Sequence, residues 1–196
     1  MNEFPFELPT TPTRIWDLVV PIIVDKDTRE STAFITHPVD EPHLYNELCY
    51  LLDTAKEGDK FTIVINTPGG IIDSAFMIAN SIENSKAMVV GRLSGTVASA
   101  GTLISMACDS LEVTPHLSFM IHNYSGGMQG KGHEMKARQK FTDDHLNTAF
   151  SSFYSGFLSE KEMGEVIDGQ DMWMSTDEVD RRWNNRVNYL EGVTDE

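Results

Sequence analysis

The nine residues Ser94 to Thr102, SGTVASAGT, carry no charge and no side chain larger than valine. They join two apolar runs, AMVVGRL (87–93) and LISMA (103–107). AMVVGRL reads as a strand, and ASAGTLISMA (98–107) as a short, nearly all-apolar helix. Tiny side chains would pack a core helix poorly, so their clustering at a strand-to-helix turn needs a reason. Ser99 falls in the first turn of that helix, where the positive end of the helix dipole favours a developing alkoxide. The N–H of Ala100 beside it has no partner within the helix. Ala98, Ala100 and Gly101 leave room for a substrate carbonyl to approach. The turn therefore reads as a nucleophile seat kept sterically bare, although a lone serine among alanines also serves ordinary helix packing. The residues before Ser99 do not carry the glycine of a Gly-x-Ser-x-Gly elbow.

Strand and helix patterns alternate on both sides of this turn. LVVPIIV (18–24) reads as a strand, with Pro21 favouring a sheet edge. EPHLYNELCYLLDTA (41–55) reads as a helix with Pro42 at its start and Leu44, Leu48, Leu51 and Leu52 on one face. FTIVIN (61–66) is a strand ending in the turn TPGG. IIDSAFMIANSI (71–82) is a helix that places Ile71, Ala75, Ile78, Ala79 and Ile82 in register. LEVT (111–114) and LSFMIH (117–122) are two more strands, parted by Pro115. A glycine-rich segment, NYSGGMQGKG (123–132), precedes a long helical region from about 133 to 158, with Leu146, Phe150, Phe153 and Phe157 on one face. SEKE (159–162) and STDE (175–178) both match the Ser-x-x-Glu capping box, and each predicts a helix. The alternation over 60–122 predicts an α/β fold with mainly parallel strands.

With 196 residues, 40% of them hydrophobic, the chain suits one folded domain. Residues 1–15 hold Pro5, Pro9 and Pro12 without periodicity and read as an N-terminal arm; 16–196 read as one domain. No basic segment followed by an apolar one opens the chain, and no run is long enough to span a membrane, so a cytoplasmic protein is expected. A formal net charge of -15 excludes nucleic acid and anionic membrane as natural partners. Cys49 and Cys108 sit in apolar helical patterns as reduced, buried thiols. The six histidines lack metal-ligand spacing, and no Cys-x-x-Cys occurs, so no metal and no cofactor are expected.

Three places combine a strand end with reactive or glycine-rich residues. Asn66-Thr67-Pro68-Gly69-Gly70 closes a strand and opens a helix, where free N–H groups can meet an anion; a lone Pro-Gly-Gly is equally a tight turn. Ser99 is the second. His122, at the end of MIH, is the third, and a single strand-end histidine is commonly structural. SGGMQGKG (125–132) imitates a phosphate loop, but Ser125 replaces its first glycine and Gly132 its Ser/Thr. It also follows a strand ending in histidine, away from a strand-to-helix turn.

Taken together, these stretches resemble the proteolytic subunit of the Clp protease, the ClpP family. The resemblance rests on Pro68-Gly69-Gly70, Ala98-Ser99-Ala100-Gly101, Met120-Ile121-His122, Gly126-Gly127-Met128-Gln129-Gly130 and Asp171-Met172-Trp173-Met174-Ser175, in that order along residues 60 to about 180. It implies an α/β fold of the ClpP/crotonase-like type: repeated β-β-α units with a protruding handle, strand plus long helix, over about 123–158. It implies Ser99 as nucleophile, His122 as general base and Asp171 as the residue orienting the imidazole. The backbone N–H groups of Gly70 and Ala100 would form the oxyanion hole. Physical reasoning leaves Asp168 and Asp171 equal; the resemblance selects Asp171 by its spacing to Ser175.

The resemblance further implies heptameric rings stacked as a tetradecamer, with the serines facing an inner chamber. The handle segment from Tyr124 to Gly130 would pair with an extended polypeptide substrate through main-chain hydrogen bonds. A ring-shaped Clp-type AAA+ ATPase would feed the chamber and hold the ATP. The first 60 residues, which supply pore loops and docking clefts in the family, depart from its pattern. Arg181, Arg182 and Arg186 form a basic patch near the end. Such divergence suits a phage- or plasmid-borne homologue. Three other readings share the fold: a catalytically silent assembly subunit, a crotonase-like acyl-CoA enzyme, and a phage capsid-maturation protease.

Overall fold

The eleven-residue strand β4 (Met88–Ala98) is the axis of a seven-stranded sheet, and a computed structural model of the chain describes residues 20–192 around it. The other strands are β1 (Ile22–Asp25), β2 (Glu30–Ile35), β3 (Lys60–Thr67), β5 (Ser110–Val113), β6 (Ser118–Ile121) and β7 (Met172–Ser175). Helices are α1 (Asn46–Thr54), α2 (Ile72–Asn84), α3 (Ala100–Ala107), α4 (Gly132–Phe153), α5 (Glu160–Ile167) and α6 (Thr176–Leu190). The sheet order is β1-β2-β3-β4-β6-β7, with β5 also on β4. Strands β2 to β6 run parallel to their neighbours, while β1 on β2 and β7 on β6 are antiparallel. The predicted N-terminal arm lies outside the described residues.

Strand β4 has two halves because its sequence bends it. Val90 to Leu93 pair with β5, and Thr96 to Ala98 pair with β6. Against β3 the register jumps: Ile65 faces Leu93, but Thr67 faces Val97. The extra residues bulge at Gly95, which has φ 66°. The Asn66 side chain fills the bulge, its Oδ1 accepting from Thr96 N–H at 3.1 Å. Part of SGTVASAGT is thus strand, and its small residues let β4 switch partners and deliver Ser99 beside β6.

The core follows from residues the sequence marked as apolar. Ile63, Ile65, Leu93, Val97, Phe119 and Ile121 on the sheet, with Ile78, Leu103 and Ile104 on α2 and α3, are fully or almost fully buried. Each such side chain contributes about 1.5–3 kcal/mol. Strands covered on both faces read as near-continuous apolar runs, as β3 and β4 do.

Several expectations are corrected. Helix α4 ends at Phe153, short of 158, because Gly156 turns the chain at φ 75° against Tyr189. Ser159 forms its capping box with Glu162. Ser175 precedes a helix but makes no side-chain cap; the neighbouring Thr176 hydroxyl bonds Thr114 O and Leu117 N–H of the adjoining loop. The three arginines form no basic patch: Arg181 and Arg182 pair with Glu178, Arg182 also with Glu162, and Arg186 is buried. The glycine-rich segment does lie between a strand, β6, and a helix, α4, so only its residue mismatches set it apart from a phosphate loop. In the single chain it forms no strand.

Candidate active site

Ser99 stands between β4 and α3 at φ 53°, ψ -125°. Positive φ costs a non-glycine residue about 1–3 kcal/mol, so neighbours must hold it there. They do so on both sides. Ser99 N–H donates to Met120 O of β6 at 2.9 Å, and Ser99 O accepts from the Thr102 N–H at 2.8 Å and the Thr102 hydroxyl at 2.7 Å. The Tyr154 hydroxyl lies 2.6 Å from Thr102 Oγ1. Because the Thr102 proton goes to Ser99 O, Tyr154 is the donor. Burial pushes the Tyr154 pKa up, so the donor keeps its proton. Ser99 is the N-cap of α3, one step before the first turn where the sequence reading placed it, yet its Oγ makes no capping bond. The hydroxyl is left for the cleft.

The turn after β3 packs directly on this serine. Gly69 adopts φ 97°, and a Cβ there would lie 2.4 Å from Ser99 Cβ. Thr67 Oγ1 accepts from Gly69 N–H at 3.2 Å. Val39 clamps the next residue: its N–H donates to Gly69 O, and its O accepts from Ile71 N–H, each at 2.8 Å. Neither the Gly70 N–H nor the Ala100 N–H meets an acceptor among the described residues. Both residues line one cleft with Ser99 and His122.

That cleft measures about 540 Å³. Leu103, Leu146 and Phe150 give its lining apolar side chains, and Tyr124, Arg138 and Gln139 polar ones. His122 follows β6 and is half-buried. Asp171 is exposed and lies outside the cleft lining. The last registered pair of the antiparallel β6–β7 ladder is Ile121 with Met172, so the next step sets His122 opposite Asp171. Asp168 caps the C-terminus of α5, three residues earlier. No hydrogen bond links Ser99, His122 and Asp171 among the described residues. Among the same residues no cluster of His, Cys, Asp or Glu is placed to hold a metal ion. Cys49 and Cys108 are separate buried thiols whose pKa burial pushes up.

The family model described as Clp protease matches residues 21–181. The chain belongs to the Clp protease family. The match takes in residues 21–60, where the motif reading found only departure. A proteolytic subunit 1 of the ATP-dependent Clp protease from Chlamydia muridarum is 26% identical over 164 residues, covering 80% of this chain and 85% of that one. A proteolytic subunit 2 from Pseudomonas aeruginosa is 29% identical over 155 residues, covering 75% of each. A solved ClpP1 mutant from Listeria monocytogenes shares 25% identity and a TM-score of 0.61 over 80% of this chain and 88% of its own. The ClpP fold and a ClpP-type peptidase follow from this membership. None of the described helices is long and apolar enough to cross a membrane.

Sequence reasoning missed three supports of this candidate site. Asn66 reaches Thr96, and Tyr154 reaches Thr102, across long stretches of sequence that no local pattern links, while Thr102 itself holds Ser99 O three residues back. Tyr124 is a fourth: its hydroxyl bonds Asp143, and Gln139 Nε2 bonds Asp143 Oδ1 at 2.8 Å, tying the glycine-rich segment to α4.

Proposed function

We propose that this chain is a serine endopeptidase subunit cleaving unfolded polypeptides by acyl-enzyme chemistry. The observation that carries the reading is the Ser99 seat: a strained, doubly anchored serine with an unspent Oγ, in one cleft with His122 and two free backbone N–H groups. In this mechanism Ser99 Oγ attacks the scissile carbonyl carbon while His122 takes the hydroxyl proton. Negative charge on the carbonyl oxygen is met by the N–H groups of Gly70 and Ala100. The C–N bond breaks as His122 returns the proton to the leaving amine, and water then hydrolyses the ester by the same path. Asp171 orients the imidazole; the β6–β7 register favours it over Asp168.

Self-assembly into stacked heptameric rings is part of the proposal, as is feeding by a Clp-type ATPase in the cytoplasm. Both curated relatives are proteolytic subunits of ATP-dependent Clp proteases, which supports the ATPase link. The test is hydrolysis of fluorogenic peptides by the assembled protein. Wild type should cleave, Ser99→Ala should not, and Asp171→Asn should lose about 10⁴-fold in turnover if Asp171 sets the tautomer. Equal rates for wild type and Ser99→Ala would remove the proposal. A second reading, a catalytically silent assembly subunit, is favoured by the exposure of Asp171 and by His122 making no hydrogen bond to Ser99 or Asp171 among the described residues. Apo geometry often tightens only when substrate binds. Correctly assembled rings that no covalent serine probe labels would select the silent reading.

A further inference from the structure

We infer that Arg138 makes this peptidase prefer substrates with an acidic side chain about four residues from an apolar anchor residue; the inference rests on the peptidase reading above. The chain carries 30 Asp and Glu residues, yet among the described residues none lines the cleft that holds Ser99. Arg138 is the one Lys or Arg among the described residues that does. It is exposed and makes no ion pair among the described residues. The acids closest to it on α4 are already engaged. Glu134, one turn earlier, faces Lys131 and His133. Asp143 accepts from Tyr124 and Gln139. The free guanidinium is therefore left to a ligand, in a molecule whose net charge of -15 otherwise repels acidic peptides.

The spacing follows from helix geometry. Arg138, Thr142, Leu146 and Phe150 succeed one another at one-turn intervals on α4, and all line the cleft. At about 1.5 Å per residue, Arg138 stands roughly 12 Å along the helix from Leu146. An extended peptide advances about 3.3 Å per residue and repeats a face every second residue. A side chain four residues from the one seated on Leu103, Leu146 and Phe150 thus reaches about 13 Å along the same face, beside Arg138. A carboxylate there meets a planar cation suited to bidentate pairing.

The test uses the assembled protein and peptides with one leucine anchor and Glu, Gln or Lys four positions away on either side. Wild type should favour the Glu peptide over the Lys peptide by about five-fold or more in kcat/KM at low salt, as a partly exposed charge pair allows. Raising salt to about 0.5 M should shrink the ratio. Arg138→Lys should keep its sign, and Arg138→Glu should reverse it. Where turnover is too slow, the concentration of each peptide that protects Ser99 from a fluorophosphonate gives the same ratio. A ratio near one in wild type, or one unchanged in Arg138→Glu, overturns the inference. So does an altered ring assembly in Arg138→Glu with the ratio intact, which would assign Arg138 to contacts between subunits. A protein that neither cleaves nor takes the probe defeats the peptidase reading and this inference together. Labelling at Ser99 with a flat ratio defeats this inference alone.

Discussion

Replacing Gly69 by alanine should disable the site while leaving the fold in place. The new Cβ would sit 2.4 Å from Ser99 Cβ, 2.8 Å from Ala98 O and 3.0 Å from Ser99 Oγ. Carbon atoms rest about 3.5–4.0 Å apart, so the Thr67–Gly70 turn or the Ser99 seat must retreat by about 1 Å. Alanine at φ 97° adds conformational strain, for a total loss of about 1–3 kcal/mol in stability. Misplacing a reacting group by about 1 Å costs on the order of 10²-fold in rate. The assay is the second-order rate of Ser99 acylation by a fluorophosphonate, with circular dichroism and particle size as controls. A fall of about 10² with assembly intact is expected. An unchanged acylation rate would refute the idea that this turn sets the position of the serine.

Two further perturbations probe the supports. Thr102→Val removes the hydroxyl that bonds Ser99 O and strands the buried Tyr154 hydroxyl; it should cost about 1–3 kcal/mol in chemical denaturation, and more than Tyr154→Phe, which takes away its own polar group. Glu162 is held down to about 2 from the ordinary 4.5, chiefly by hydrogen bonding to Arg182, which also binds Phe157 O. A carboxylate with a depressed pKa stabilises the fold above about pH 4.5 and loses that contribution as pH falls toward 2. Glu162→Gln should therefore lower stability by about 1 kcal/mol at pH 7 and flatten the decline between pH 4.5 and 2; an equally steep decline in the variant would contradict this.

Long, strongly patterned elements were legible in the sequence. The apolar faces of α1 and α2, the runs of β3 and β4, and Pro21 beside an edge strand all carry local signals. Strands β2 and β7 do not. ESTAFI opens on three polar residues, so the turn at Asp25 and Asp27 before it does not announce a strand, and MWMS is only four residues long. Strand β2 exists through pairing with neighbouring β1 and, across α1, with β3, and β7 through pairing with distant β6. The end of α4 depends on Gly156 meeting Tyr189, and the apparent arginine patch on acids one turn away or in another helix. The site divides the same way. Small residues around Ser99 marked the turn proposed for the nucleophile, and the ClpP resemblance named the partners proposed for it. The strained φ of Ser99, the bulge filled by Asn66 and the Tyr154–Thr102 brace arise only on folding.

The most direct test of the account is intact mass after exposure of the assembled protein to a fluorophosphonate, with peptide mapping of the adduct. The account predicts one adduct per chain, on Ser99, absent from Ser99→Ala. An adduct on another residue, or none on well-assembled rings, would contradict it.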